Sequence, residues 1–330
     1  MRHSKQNPYL FVVGCPRSGT TQLQRMLDHH PLLAVANDTH FIPRAIEHLP
    51  IGVDPPLTRD LVEWVRNYRR FFRLGLSDDA VYAAAANALT YREFVSALYQ
   101  EYGRLRGKPL AGEKTPDYDR YLPRLHSLFP WAKIVHIIRD GRDVALSALD
   151  WARPDKGPGK FMLWQDQPVA VCALWWREHV TTARQDAATL SAMRYDEVGY
   201  EDLVSRPEET LRPLAAFLEL PFATEMLTYY VGKVKYTPGL STKKSWLPPT
   251  PGLRDWRTQM KEQDVELFEA LAGDLLSDLG YQRGFASVTP AVAAAAEEYR
   301  GRWEREKAER QMMSGERPGG PVRQKIAGKA

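Results

Sequence analysis

The chain is short of cysteine and has no long apolar run, and each absence excludes a class of protein. Of 330 residues only Cys15 and Cys172 are cysteine, and they lie far apart in sequence. They could pair in principle, but so small a framework suits a reducing compartment better than a disulfide scaffold. The first apolar run, Tyr9–Val13, is shorter than the apolar core of a signal peptide. No stretch approaches the ~18 apolar residues of a membrane span, so a cytoplasmic protein without membrane insertion is expected. Lysine and arginine form no block and no nucleic-acid motif is recognisable, so no nucleic acid is expected as a partner. No cluster of His, Cys and carboxylates has metal-ligand spacing, and no metal is expected. The formal net charge of +4 suits an anionic ligand but is too common to identify one.

What is present is an ordinary globular composition, 44% apolar, with room for one large α/β domain. Tyr9–Val13, ended by Gly14 and Pro16, reads as a buried strand entering a turn. From Thr20 the apolar spacing changes to three and four (Leu23, Met26, Leu27), which predicts an amphipathic helix ending before Pro31. Further strands are expected at Leu32–Ala36, Leu110–Glu113, Ile134–Ile138 and Arg194–Gly199. Helices are expected over roughly 58–72, 78–89, 91–105, 121–128, 141–151, 169–190 and 207–218, with Ser77 and Thr90 as N-caps. Strands alternating with helices predict a three-layer α/β fold of the P-loop type, a central parallel sheet flanked by helices. Residues 153–168 and 236–252 read as loops. Beyond Phe285 a surface helix is expected, then about 17 residues that composition marks as disordered.

The segment Gly14-Cys-Pro-Arg-Ser-Gly-Thr-Thr21 lies between the first strand and the first helix. Backbone N–H groups and the helix dipole converge on such a turn and make it an anion site. Arg17, Ser18, Gly19, Thr20 and Thr21 are its candidate ligands. Gly14 and Gly19 have the spacing of the NTPase loop, but Thr20 stands where that loop carries lysine. An NTP enzyme would lose the cation that bridges the β- and γ-phosphates. A P-loop nucleotide kinase or NTPase is therefore the alternative enzyme, and a catalytically inactive nucleotide-binding protein the alternative class.

A second candidate site opens where Ile134–Ile138 ends in Arg139, with Ser147 eight residues further along the following helix. Ligands of open α/β sheets gather at the carboxyl ends of strands, and a guanidinium grips phosphate bidentately. The bland reading is that Arg139, Asp140, Arg142 and Asp143 pair among themselves at the surface. Two separate phosphate grips suit a nucleotide with both a 5′- and a 3′-phosphate.

At this point the residues resemble a known family. FVVGCPRSGTT is similar to the 5′-phosphosulfate loop of sulfotransferases that use 3′-phosphoadenosine 5′-phosphosulfate (PAPS), and IVHIIRDGRDVALSAL to their 3′-phosphate element. Tyr200-Glu-Asp-Leu203, followed by Pro207 and Phe217-Leu218, resembles a third family segment, whose tyrosine lies near the adenine. Motif by motif, the nearest resemblance is to tyrosylprotein sulfotransferases and related bacterial enzymes, through Met26-Leu-Asp-His-His-Pro31 and Asp38-Thr-His-Phe-Ile-Pro-Arg44. Those enzymes carry a Glu-Glu pair and an arginine where this chain has Asn37-Asp38 and His40, so the tyrosine acceptor does not carry over by motif.

The resemblance implies a sulfotransferase domain over 1–285, with 286–330 a helical extension and tail. It implies PAPS as sulfuryl donor and in-line transfer to a hydroxyl acceptor: a carbohydrate, a small metabolite or a tyrosine. Arg17 is the candidate for stabilising the leaving group, Lys114 for contacting the transferring group, and Asp38 for the base, with His40 as its rival. A cap for a helix near Phe41 is the plainer role for Asp38. Arg139 and Ser147 would hold the 3′-phosphate and Tyr200 the adenine, and Lys243, Lys244 and Arg254 of the late loop would reach the donor. His136, Trp175 and Trp176 read as core, and His29 and His30 as helix-end residues. The stretch 65–73 reads either as a cleft wall or as a solvated helix face. The oligomeric state is open, a homodimer included.

Overall fold

The computed structural model describes residues 6–231 and 247–315. Five parallel strands form one sheet in the order β2-β3-β1-β4-β5. They are β1 (Leu10–Val13), β2 (Leu33–Asn37), β3 (Leu110–Lys114), β4 (Lys133–Ile138) and β5 (Tyr195–Gly199). The first four are apolar and buried almost throughout, as a sheet covered on both faces requires. Alternation along β1 sends Phe11 and Val13 into one core and Leu10 and Val12 into another.

The helices α1 (Thr20–Asp28), α9 (Tyr200–Ser205) and α10 (Pro207–Phe217) contribute to the second core. The first core takes α3 (Arg59–Arg66), α4 (Asp78–Ala86), α5 (Tyr91–Arg104) and α6 (Leu122–Leu128), with the single turn α2 (Phe41–Arg44). Ser77, Thr90 and also Thr58 accept the backbone N–H bonds of true N-caps. The expected helix over 58–72 ends at Arg66, and a separate 3₁₀ turn spans Phe71–Leu74.

A third core is built from α7 (Gly141–Trp151), α8 (Pro168–Ala187), α12 (Glu262–Asp278) and α13 (Pro290–Gly315), beyond the single turn α11 (Trp256–Gln259). Trp176 and Cys172 lie in this core, and both cysteines are buried and free. Two findings differ from the sequence reading. Helix α12 was not anticipated, although Val265, Phe268, Leu271, Ala272, Leu275 and Leu276 mark its buried stripe. Helix α13 is more than a surface helix, because Ala296 and Trp303 are buried in the third core. Its alanines give no apolar stripe, so one tryptophan carries a contact that periodicity does not register. The tail beyond 315 and most of the 236–252 loop lie outside the described residues.

Candidate active site

All five strands deliver their carboxyl ends to one cavity of ≈ 820 Å³. The strand order reverses around β1, which is where open α/β sheets place their ligands. Gly14 leaves β1 at φ +145°, and a Cβ there would meet the Ile137 carbonyl oxygen at 2.4 Å. Gly19 is the left-handed N-cap of α1 (φ +92°), with no side chain capping the helix, and its missing Cβ leaves room for the Tyr200 ring, which it would meet at 2.3 Å. The glycines thus let the loop lie against β4 and α9, while the uncapped helix end faces the cavity. The Ser18 hydroxyl is buried without a hydrogen-bond partner, the condition of a group that awaits a ligand.

Arg17 sits in the same loop at φ +83°. Its Nε donates to Ser147 Oγ at 2.9 Å, and its guanidinium lies 5.6 Å from the Trp151 ring centroid. Arg17 and Ser147, assigned by sequence to different grips, are therefore neighbours. Burial lowers the Arg17 pKa, and the nearby Arg254 and Arg139 guanidiniums lower it further. Three cations that repel one another are a standing site for anionic charge. Arg139 donates to Asp143 at 3.2 Å and lies 4.2 Å over the Tyr200 ring, while its buried Nε has no partner. The anticipated pairing at 139–143 does occur, but in the interior. Arg142 is fully buried against Asp140 (2.7 Å) and Glu269 (2.6 Å) and belongs to the scaffold. Arg254 lines the cavity and pairs with Asp150. Lys243 and Lys244 lie outside the described residues.

Beside this loop stand Asp38 and Lys114. Lys114 ends β3 at 1% exposure, and its Nζ donates to Asp38 Oδ1 at 3.0 Å and to Thr21 Oγ1 at 3.2 Å. Arg73 approaches Asp38 Oδ2 at 3.6 Å. Asp38 caps no helix, since the N-cap of α2 is His40, without a side-chain cap. Burial alone would raise the Asp38 carboxyl, but the attraction and hydrogen bond of Lys114, with His40 and Arg73, hold it below the ordinary value. Burial lowers Lys114 against the opposing pull of Asp38. Burial, and then Arg70, push His40 down to about 4, so its imidazole is neutral at pH 7. Among the described residues, Arg17, Asp38 and His40 are three of the four non-glycine positions with positive φ. Each such residue costs on the order of 1–3 kcal/mol, and such strain persists where the surroundings enforce it.

What enforces it here escaped the sequence reading. Glu113 is fully buried and accepts from Thr39 N (2.9 Å), Tyr99 Oη (2.6 Å) and Thr115 Oγ1, which fixes the turn between Asp38 and His40. Its place on an apolar strand beside Lys114 was the available signal. Tyr118 and Tyr91 bind the backbone N–H and C=O of Ile42 and anchor the next turn. His136 is core, bonded to Tyr195, and His29 and His30 bind backbone carbonyls. Trp176 is core too, whereas Trp175, also buried, borders the cavity.

The far end of the cavity comes from elements that carried no motif. Tyr68, Arg69, Arg70 and Arg73 line the cavity, with Arg73 reaching Asp38, while Phe72 is exposed, so the 65–73 stretch is both wall and solvated surface. His179 of α8 and Trp303 and Arg310 of α13 close it. In all, twelve lysines and arginines line the cavity against five carboxylates. Among the described residues no group of three His, Cys, Asp or Glu could hold a metal, and no helix is long and apolar enough to cross a membrane.

Comparisons with known proteins bear on the family and the fold. The model of the sulfotransferase family matches residues 8–224. The protein-tyrosine sulfotransferase of Drosophila melanogaster is 25% identical over 228 residues, 68% of this chain and 40% of that protein. Protein-tyrosine sulfotransferase 1 of Danio rerio is 26% identical over 298 residues, 88% of this chain and 72% of its own length. The chain thus spans well under half of the first of these relatives. Among solved structures, the sulfotransferase domain of the Synechococcus PCC 7002 olefin synthase aligns with a TM-score of 0.58 at 24% identity, covering 86% of this chain and 98% of that one, a likeness of fold.

Proposed function

Because the chain belongs to the sulfotransferase family, we propose that it transfers a sulfuryl group from 3′-phosphoadenosine 5′-phosphosulfate to a hydroxyl acceptor. The observation that carries this reading is the meeting of the strained Arg17 loop with the Lys114–Asp38 pair, joined through Thr21. A sulfuryl transfer needs an anion cradle, a cation at the transferring group and a carboxylate at the acceptor, all within one site.

In this reading the loop from Arg17 to Thr21 binds the 5′-phosphate through backbone N–H groups, with Ser18 Oγ supplying an unused donor. Arg17 neutralises charge growing on the leaving phosphate, a task that its permanent charge suits. Arg139 uses its free Nε, together with Ser147, on the 3′-phosphate, and Tyr200 faces the adenine. Lys114 contacts the transferring group. Asp38 takes the acceptor proton. Lys114, then His40 and Arg73, stabilise its charged form and make the carboxylate by itself a weak base. Anionic charge from the donor beside Lys114 opposes that pull and moves Asp38 back toward a useful basicity. Thr20 in place of the P-loop lysine, buried at the start of α1, favours this donor over a nucleoside triphosphate.

The test is incubation with isotopically labelled donor and separate pools of carbohydrates, small metabolites and tyrosyl peptides, followed by mass spectrometry. A labelled sulfate adduct that disappears in Lys114→Met supports the reading. Unmodified pools throughout, with intact donor, count against it.

A further inference from the structure

The charge in the cavity is more than the proposed donor uses, and its distribution is uneven. The cations that act on Arg17 are Arg254 and Arg139. A second group gathers around Lys160, where Arg44, Arg310 and Arg120 are the cations felt and Asp117 the carboxylate. Arg120 and Arg44 have carboxylate neighbours, Asp117 at 3.7 Å and Glu47 at 3.9 Å. Lys160 and Arg310 form no ion pair among the described residues, whose pairs instead join other side chains.

Built structure holds this group in place. Arg310 Nη2 donates to the Lys160 carbonyl oxygen at 2.7 Å, and its guanidinium lies 5.0 Å over Phe161. Phe161 in turn stacks on the buried Trp303 at 4.0 Å. One helical turn before Arg310, Lys307 pairs with Glu178 at 3.0 Å, which ties α13 to the residue beside His179. His179 is 1% exposed and lines the cavity. Its Nδ1 lies 2.6 Å from Asp119 Oδ2, its ring stands edge-on to Trp175 at 4.8 Å, and its Nε2 has no partner. A buried imidazole oriented by a carboxylate, with the other nitrogen unused, is the arrangement of a group kept for a ligand.

We propose that this end of the cavity is the acceptor subsite and that it selects a hydroxyl compound carrying an anionic group, a carboxylate, phosphate or sulfate. Lys160 and Arg310 grip the anion, and His179 Nε2 hydrogen-bonds the body of the acceptor. The inference rests on the sulfotransferase reading of the opposite end. Of the three, Arg310 on helix α13 lies beyond the residues that the family model matches, whereas Lys160 and His179 lie within them.

The experiment titrates 4-hydroxyphenylacetate and its neutral amide, 4-hydroxyphenylacetamide, by calorimetry into the full chain, with and without saturating 3′,5′-adenosine bisphosphate. The carboxylate should bind about tenfold more tightly than the amide, as a charge-assisted contact predicts. Arg310→Gln with Lys160→Gln should erase that preference and leave bisphosphate affinity within about twofold. His179→Gln should weaken both probes alike without changing their ratio. Equal binding of the two probes, binding of neither, or a preference that survives the double variant overturns the proposal. An anion preference that persists while the bisphosphate fails to bind would instead retain the subsite and overturn the donor reading.

Discussion

The two ends of the cavity are built by opposite means. The proposed donor end hangs on the sheet: Lys114 ends a strand, Arg139 and Tyr200 each follow one directly, Arg17 lies in the turn after β1, and glycines set the close approaches. The far end hangs on helices and turns distant in sequence, with His179 on α8, Lys160 in a 3₁₀ turn and Arg310 on α13. A site on strand ends inherits its geometry from backbone register, so the residues keep a fixed spacing and become readable motifs. A site assembled from distant helices depends on tertiary packing alone. The first end is suited to a constant ligand and the second to a variable one.

The comparison can be broken first at Lys114. Replacing it with methionine should lower transfer by roughly a thousandfold and also destabilise the fold, because Asp38 loses its nearest cation and keeps only the longer contact with Arg73. Single-turnover rates and denaturant melts read the two effects. Arg17→Ala should reduce transfer by about 10²–10³-fold while largely sparing nucleotide affinity; turnover like the parent chain would remove Arg17 from leaving-group stabilisation. Gly19→Ala sets a Cβ against the Tyr200 ring at a left-handed φ, and bisphosphate affinity should fall about tenfold or more in a calorimetric titration.

A pH titration sharpens the comparison at the junction of the two ends. His40 is held at about 4, below the ordinary imidazole value of 6.5, by burial and then Arg70, against the opposing pull of Asp117 and Asp38. The unfolded chain therefore takes up this proton first, so stability falls as pH drops from 6.5 toward 4 and levels off below. The slope should be shallower in His40→Gln, and His136, also lowered to about 4, should account for part of what persists. The smallest effect on the donor is expected from Trp303→Ala. It should cost about 3–5 kcal/mol of stability through the lost core contact yet change bisphosphate affinity by less than about twofold.

The same contrast explains what was legible in the sequence. The first four strands, the glycine turn and the Arg139 element announce themselves through apolar runs and local punctuation, whereas β5, with the sequence YDEVG, has no such run. The pairing of Asp38 with Lys114 follows from two strand ends that the topology sets side by side. Glu113, His179 and Trp303 were not legible as functional supports, because the contacts that give each its role come from residues distant in sequence. Glu113 takes its meaning from Thr39 and Tyr99, His179 from Asp119, and Trp303 from Phe161. Helix α12 is different. Its buried stripe was present in the sequence, and its length and spacing were sufficient to predict it.

Which nucleotide the cleft prefers separates a 3′-phosphorylated donor from a nucleoside triphosphate. The measurement is the rise in melting temperature of the full chain with 3′,5′-adenosine bisphosphate against that with ATP and Mg²⁺, at equal concentrations. The arrangement of Arg17, Ser18, Arg139 and Ser147, with threonine at position 20, predicts the larger rise with the bisphosphate. A larger rise with ATP and Mg²⁺ would contradict it.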